Sequence, residues 1–367
     1  MKKTVTALEG LRGAAAMLVI IFHATLDVPW LPVLRGGYLA VDLFFVLSGF
    51  VICSAYGRSL SGRSNFRVFI VRRFGRLWPN LVLTMILYYV VSNLEIGFFL
   101  AWSSSHLAWE LPTLLEVAAT LTMTQGLHLF NRTIDTGVNW SVSDEFYVYI
   151  LFGVVCMCTK GKIRIIAYAA LATIGYMIAL WATIRLHGCP THSKCFDTTY
   201  DFGWARCIAG FFSGALIAEF RNTRLLRLLR ITGVQVAIFF TSAWYIVLTK
   251  DFPTTALAAP VIFSMLIGSM IENAGPICDA FNLPPFQYLG KISYSLYLGH
   301  GSLWPVIWLM PFFHTRSSQI ILIVIFLTLS LCLAHVLYKY IEAPYRAKFY
   351  AWSDRFRSAA SSPASAS

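Results

Sequence analysis

Long apolar runs, broken by short clusters of Arg, Lys, Gly and Pro, recur along the whole chain. A spanning helix needs roughly 20 mainly apolar residues. About ten segments fit that length, near 8–26, 36–57, 77–94, 144–159, 163–185, 203–220, 231–249, 254–272, 288–312 and 318–341. Between Asn93 and Asn139 the pattern changes. The stretch 111–129 carries Glu116, Gln125 and His128, which suits a partly buried or interfacial helix better than a further crossing. The pattern predicts an all-α fold, a polytopic membrane helix bundle of about ten transmembrane helices.

Composition sharpens this picture. Of 367 residues 57% are hydrophobic, 15% aromatic and 13% charged, too few charges for an ordinary water-soluble globule. The net charge of +12 arises from 29 Lys and Arg against 17 Asp and Glu, and alone it would suit nucleic acid. The cations, however, cluster between the apolar runs, which is the pattern of membrane topology. With a cytoplasmic N-terminus, ten crossings place inside the groups Arg58 to Arg76, Lys160 to Arg164 and Arg221 to Arg230, and the basic C-terminal tail. The outer loops keep Arg35, Arg132, Arg185, Lys194, Lys250 and Arg316. Both termini are therefore expected in the cytoplasm, with a membrane domain over 1–350 and a tail over 351–367, disordered toward its Ser, Ala and Pro end.

The first apolar run reads as a retained span. Glu9 and Arg12 precede it, and Phe22 stands where a cleavable signal needs a small residue. Eight scattered Cys form no metal or redox motif, so no metal is expected. Cys189 and Cys195 fall in an outer loop, where a disulfide can persist.

Charged groups at membrane depth cost about 2.5–3.5 kcal/mol each, so those that remain usually face a cavity or a partner. Arg12 and His23 are eleven residues apart, about three turns and ~16 Å, and with Glu9 they share one stripe of the first span. An imidazole at its far end suits proton transfer near neutral pH, or a buried hydrogen bond. Asp42 near the outer end of the second span reads as a cap, an ion pair or a working carboxylate. Arg73 and Arg76 stand one turn apart at the third span, as phosphate-binding guanidiniums or as a topology anchor. Trp140, Ser141, Asp144 and Glu145 open the fourth span; capping accounts for Asp144 but leaves Trp140 and Glu145 without a task. Ser293, Tyr297 and His300 share a face of the ninth span. Arg206 can balance an outer carboxylate, and His335 is a lone polar group.

Together these motifs resemble the acyltransferase-3 family of integral-membrane O-acyltransferases, which includes O-antigen, exopolysaccharide and nodulation-factor acetyltransferases. The resemblance rests on Leu8-Glu9-Gly10-Leu11-Arg12-Gly13 with His23, on Val41-Asp42-Leu43-Phe44-Phe45-Val46-Leu47-Ser48-Gly49-Phe50, and on Arg73-Phe74-Gly75-Arg76 before Pro79. It continues in Trp140-Ser141-Val142-Ser143 with Glu145, in the stretch from Leu289 to His300, and in Ile341-Glu342-Ala343-Pro344 with Arg346. Asp144 departs from the family's apolar residue before the glutamate, and Phe146-Tyr147 arrives early, with Tyr149 in the later place.

The resemblance implies a multi-pass protein of the cell inner membrane, acting without a further soluble domain. It implies transfer of an acyl group, acetyl above all, from cytoplasmic acetyl-CoA or another acyl-CoA to a hydroxyl of an extracytoplasmic glycan or glycolipid. The acceptor class is a surface polysaccharide, lipopolysaccharide or lipo-oligosaccharide such as a nodulation factor, and the partners are membrane lipid and glycan, with no nucleic acid. On this reading Arg73 and Arg76 hold donor phosphates, Arg12 flanks the donor arm and His23 is the general base. Asp42 or Glu145 orients the imidazole or grips sugar; Tyr297, His300 or Ser141 faces the oxyanion or substrate. Trp140, with Trp102 and Trp109, offers sugar-stacking faces or belongs to the interfacial belt. A multi-span transporter of a lipid-linked sugar or protons is the competing class.

Overall fold

Hydrocarbon offers backbone groups no partner, so a chain this apolar must satisfy them within its own helices. The computed structural model describes residues 5–26, 28, 30, 32–102, 110–189, 191, 195–309 and 314–361, and among them every regular element is helical. In chain order these are α1 (Thr6–Ala24), α2 (Ala40–Tyr56), α3 (Arg63–Trp102), α4 (Leu114–Thr122), α5 (Trp140–Cys158) and α6 (Gly161–Arg185). There follow α7 (Gly203–Phe220), α8 (Arg224–Leu228), α9 (Thr232–Leu248), α10 (Ala259–Met270) and α11 (Pro276–Phe281). The last four are α12 (Pro284–Gly301), α13 (Trp304–Trp308), α14 (Arg316–Leu337) and α15 (Ala343–Ser361). All ten expected segments overlap helices, with residues 310–312 of the ninth outside the described residues; among the described residues seven helical stretches are both long and apolar enough to cross a membrane, and α9 is a shorter apolar helix.

Several boundaries differ from expectation. The third segment begins at Arg63, not near 77, because its cations find partners on α15: Arg72 donates to Ser353 at 2.9 Å and to Asp354 at 2.7 Å. The ninth segment breaks after Gly301, and α13 restarts with Pro305 in its first turn. The helix entering the tail runs on to Ser361, past the boundary at 350; residues 362–367 lie outside the described residues. Within 111–129 only α4 is helical, opened by a reciprocal Thr113–Glu116 cap, with buried Glu116 paired to Arg132 at 2.8 Å.

What positions the site is the crossing of α1 and α12. Gly13 meets the backbone of Leu289 and Gly290, and a Cβ on Gly290 would collide with the Glu9 carbonyl. Bare backbone lets the two helices approach closely. Ten residues beyond this crossing, on each helix, stand His23 and His300, so α1 and α12 run in the same direction with these side chains at one level. Gly49 and Gly214 make the like crossing between α2 and α7. Replacing Gly290 with Val is expected to push α1 and α12 apart at a cost of about 1–3 kcal/mol. A lower thermal midpoint in detergent, with loss of transfer activity, is the expected measurement.

Candidate active site

His23 lies in the last turn of α1, half-buried, and His300 in the last turn of α12, fully buried. His300 Nε2 is 3.0 Å from His23 Nδ1, and His300 Nδ1 is 3.3 Å from the Leu296 carbonyl. The two rings stack at 5.1 Å between centroids, with Phe22 at 5.0 Å and Trp304 at 5.2 Å from the His23 ring. The break after Gly301 makes this possible: the chain turns there, Ser302 Oγ donates to the Thr84 carbonyl at 2.8 Å, and Trp304 folds back over His23.

Beside the pair lies a cleft enclosing about 720 Å³, its open mouth included. Arg12, Arg73 and Arg76 line it together with Ser48, Ser141, Glu145, Tyr149, Ser293 and Tyr297. Arg12 is held by Glu9 at 2.9 Å. Arg73 is nearly buried, its Nη2 donating to the Tyr350 hydroxyl at 3.2 Å, while its Nε has no partner among the described residues. Arg76 lines the cleft with the buried carboxylate of Glu342 as its strongest charged neighbour, and its guanidinium can donate to an anion there. Tyr149 donates to Glu145 at 2.5 Å and receives the Ser48 hydroxyl at 2.9 Å, since the single phenol proton is already used.

At the inner end Tyr297 and Ser141 share a hydrogen bond of 2.7 Å, and both reach the Val138 carbonyl, at 3.1 and 3.2 Å. Either hydroxyl can turn its proton into the cleft only by giving up one of these bonds. The Tyr297 ring stands edge-on to His300 at 5.9 Å. One aromatic ring therefore separates the arginine-lined cleft from the histidine pair.

The structure thus brings Arg12, Arg73, Arg76, Glu145, Ser141 and Tyr297 to one cleft, with His23 and His300 behind its inner wall. It places other expected residues elsewhere. Both Asp42 oxygens are taken by Arg206, at 2.8 and 2.6 Å, so Asp42 neither orients an imidazole nor grips sugar. Glu145, in the cleft, accepts from Tyr149 at one oxygen, and the group that meets His23 is His300. His300 spends both nitrogens on Leu296 and His23, which leaves no donor for an oxyanion. Trp140 is only 5% exposed and packs on Phe45, Arg206 and Gly203, so it offers no face to a sugar. Trp109 and the Trp102 side chain lie outside the described residues. Asp144 caps nothing: it is fully buried and neither oxygen has a hydrogen-bond partner among the described residues. His335 pairs with the Tyr288 hydroxyl at 2.7 Å.

Ser48, which enters the sequence reading only as part of the second-span motif, lines the cleft, and the sequence assigns Trp304 no role. The Gly301-Ser302-Leu303-Trp304-Pro305 stretch, with Pro inside a nominal span, was the available signal for the turn that positions it. The disulfide that the outer loop allows between Cys189 and Cys195 is present, with Cα atoms 5.2 Å apart.

A bundle of long apolar helices around a polar cleft and a buried histidine pair defines a multi-pass membrane protein with an interior site. The family model for an acyltransferase domain, acyltransferase-3, matches residues 5–339, and the chain belongs to that family. Among its relatives is a Staphylococcus aureus strain COL protein named "Putative O-acetyltransferase SACOL0978", 24% identical over 378 residues, covering 93% of this chain and 57% of that protein. A Bacillus subtilis strain 168 protein named "Putative peptidoglycan O-acetyltransferase YrhL" is 24% identical over 365 residues, covering 93% and 55%. "Protein 2 in picA locus" of Rhizobium radiobacter is 44% identical over 81 residues, covering 22% of this chain and 41% of that protein. The chain spans little more than half the length of the first two relatives. No solved structure matches it.

Proposed function

We propose that this chain transfers an acetyl group from cytoplasmic acetyl-CoA to a hydroxyl of an extracytoplasmic glycan in the inner membrane, with His23 as general base. The reading is carried by one observation: three arginines line a cleft whose inner end lies one ring away from a hydrogen-bonded histidine pair. Family membership and relatives named as O-acetyltransferases support it. The relative named for peptidoglycan makes a cell-wall glycan one acceptor to test.

On this proposal Arg73 and Arg76 grip donor phosphates and Arg12 flanks the acyl-bearing arm. His23 Nε2 takes the proton of the sugar hydroxyl as its oxygen bonds to the thioester carbonyl carbon. The carbon–sulfur bond breaks, and His23 returns the proton to the departing thiolate. A positioned base of this kind typically contributes ~10²–10⁴-fold.

The test is purified protein in nanodiscs with acetyl-CoA and a panel of cell-wall and surface glycans. Glycan-dependent release of free CoA, with the acceptor gaining one acetyl group by mass spectrometry, is expected. Passage of label across the bilayer with the thioester intact would instead identify a transporter. Arg76→Ala should raise the donor KM by ~10–100-fold, the loss of a hydrogen bond to a charged group. Titration with acetyl-CoA at saturating acceptor measures it.

A further inference from the structure

We infer that His300 is a positioning residue that holds His23 in one tautomer, by accepting its Nδ1 proton and keeping the basic lone pair on Nε2. The inference rests on the preceding reading of His23 as the base. A backbone carbonyl can only accept, so the contact from His300 Nδ1 to Leu296 O requires a proton on that nitrogen. In a neutral ring Nε2 is then an acceptor, and the group facing it at 3.0 Å is His23 Nδ1. His23 must therefore donate from Nδ1, which leaves Nε2 unprotonated.

Burial supports the neutral form of His300. The ring is fully buried, and its described hydrogen-bond partners are a carbonyl and an imidazole, not a carboxylate. A second proton would place an unpaired cation in that interior, at high cost. The facing groups are His23 on α1, Tyr297 on α12 itself and, beyond His23, the Trp304 ring of α13.

The arrangement does with a neutral imidazole what a carboxylate does for the histidine of a Ser-His-Asp triad: it sets tautomer and orientation without taking the proton. When His23 Nε2 gains the acceptor's proton, the Nδ1–H bond to His300 persists and the His300 lone pair faces the new charge. No proton passes to His300. The register that allows this is the Gly13–Gly290 crossing ten residues earlier on both helices.

The test compares His300→Leu, which removes the acceptor, with His300→Gln, whose amide oxygen can replace it. His300→Leu should lower kcat by ~10²-fold, within the contribution of a positioned base, and leave the donor KM nearly unchanged. His300→Gln should recover most of that loss. In ¹⁵N-histidine spectra of the wild-type protein in nanodiscs, His23 should carry its proton on Nδ1 and lose that preference in the Leu variant. If His300→Leu keeps wild-type kcat while His23→Ala is inactive, the positioning role falls and the base stands. An Nε2–H tautomer of His23 in the wild-type protein also overturns it, whatever the fate of the variants. An active His23→Ala enzyme would instead remove the parent reading.

Discussion

His23→Ala is expected to give a folded, inserted protein with transfer activity reduced by ~10²–10⁴-fold, the contribution of a general base. The fold should survive because His23 is half-buried and the helix crossing that sets its level is made by Gly13 and Gly290. Loss of the hydrogen bond to His300 leaves the buried His300 Nε2 without that donor, a cost of about 1–3 kcal/mol. Donor binding should be unaffected, since the cleft is lined by Arg12, Arg73 and Arg76 and not by His23. Acetyl-CoA affinity and gel-filtration behaviour should thus match the wild type while CoA release collapses. Full transfer by this variant would dismiss His23 as the base.

Arg206→Met is expected to produce the largest loss of stability. Arg206 is fully buried, holds both oxygens of fully buried Asp42, and donates to the Tyr38 and Thr198 carbonyls, each at 3.2 Å. It thereby ties α2, α7 and the outer loop together. Removing one partner of a buried ion pair costs about 3–5 kcal/mol, because a charge remains without compensation. Replacing both by apolar groups of similar volume is often close to neutral. The double variant Asp42→Leu with Arg206→Met should therefore regain a large part of the thermal midpoint lost in the single one, less the two orphaned carbonyls and the ion pair of Arg206 with Asp197 at 3.8 Å. It should also regain transfer activity, as neither residue meets the cleft or the histidines. A double variant that is stable yet inactive would return Asp42 to the chemistry.

The two variants separate what could be read along the chain from what could not. Arg73, Arg76, Arg12 and Glu145 were legible as polar groups too costly to leave in an apolar run without a task, and all four line the cleft. The same reasoning singled out Asp42, and there it misled. A carboxylate held by an arginine and a carboxylate poised for chemistry look alike until the partner is known, and Arg206 is 164 residues away. His300 was noticed for its helical face but assigned to an oxyanion; its bond to His23, across 277 residues, changes that assignment. Trp304 drew no attention because the ninth apolar run resumes at once beyond Gly301-Ser302, so the turn reads as an interruption inside one span.

By itself the sequence determined the helical membrane class, the positions of the apolar segments and the family. Each helix satisfies its own backbone within one continuous stretch, so this information is local and periodic. Tertiary structure alone decided which polar groups meet. Lipid is as apolar as the helix surfaces, so hydropathy carries no information on helix pairing; close backbone approach at Gly13, Gly290, Gly49 and Gly214 sets it instead. That pairing brings an imidazole to an imidazole, closes a guanidinium on a carboxylate, and leaves three arginines around a cleft.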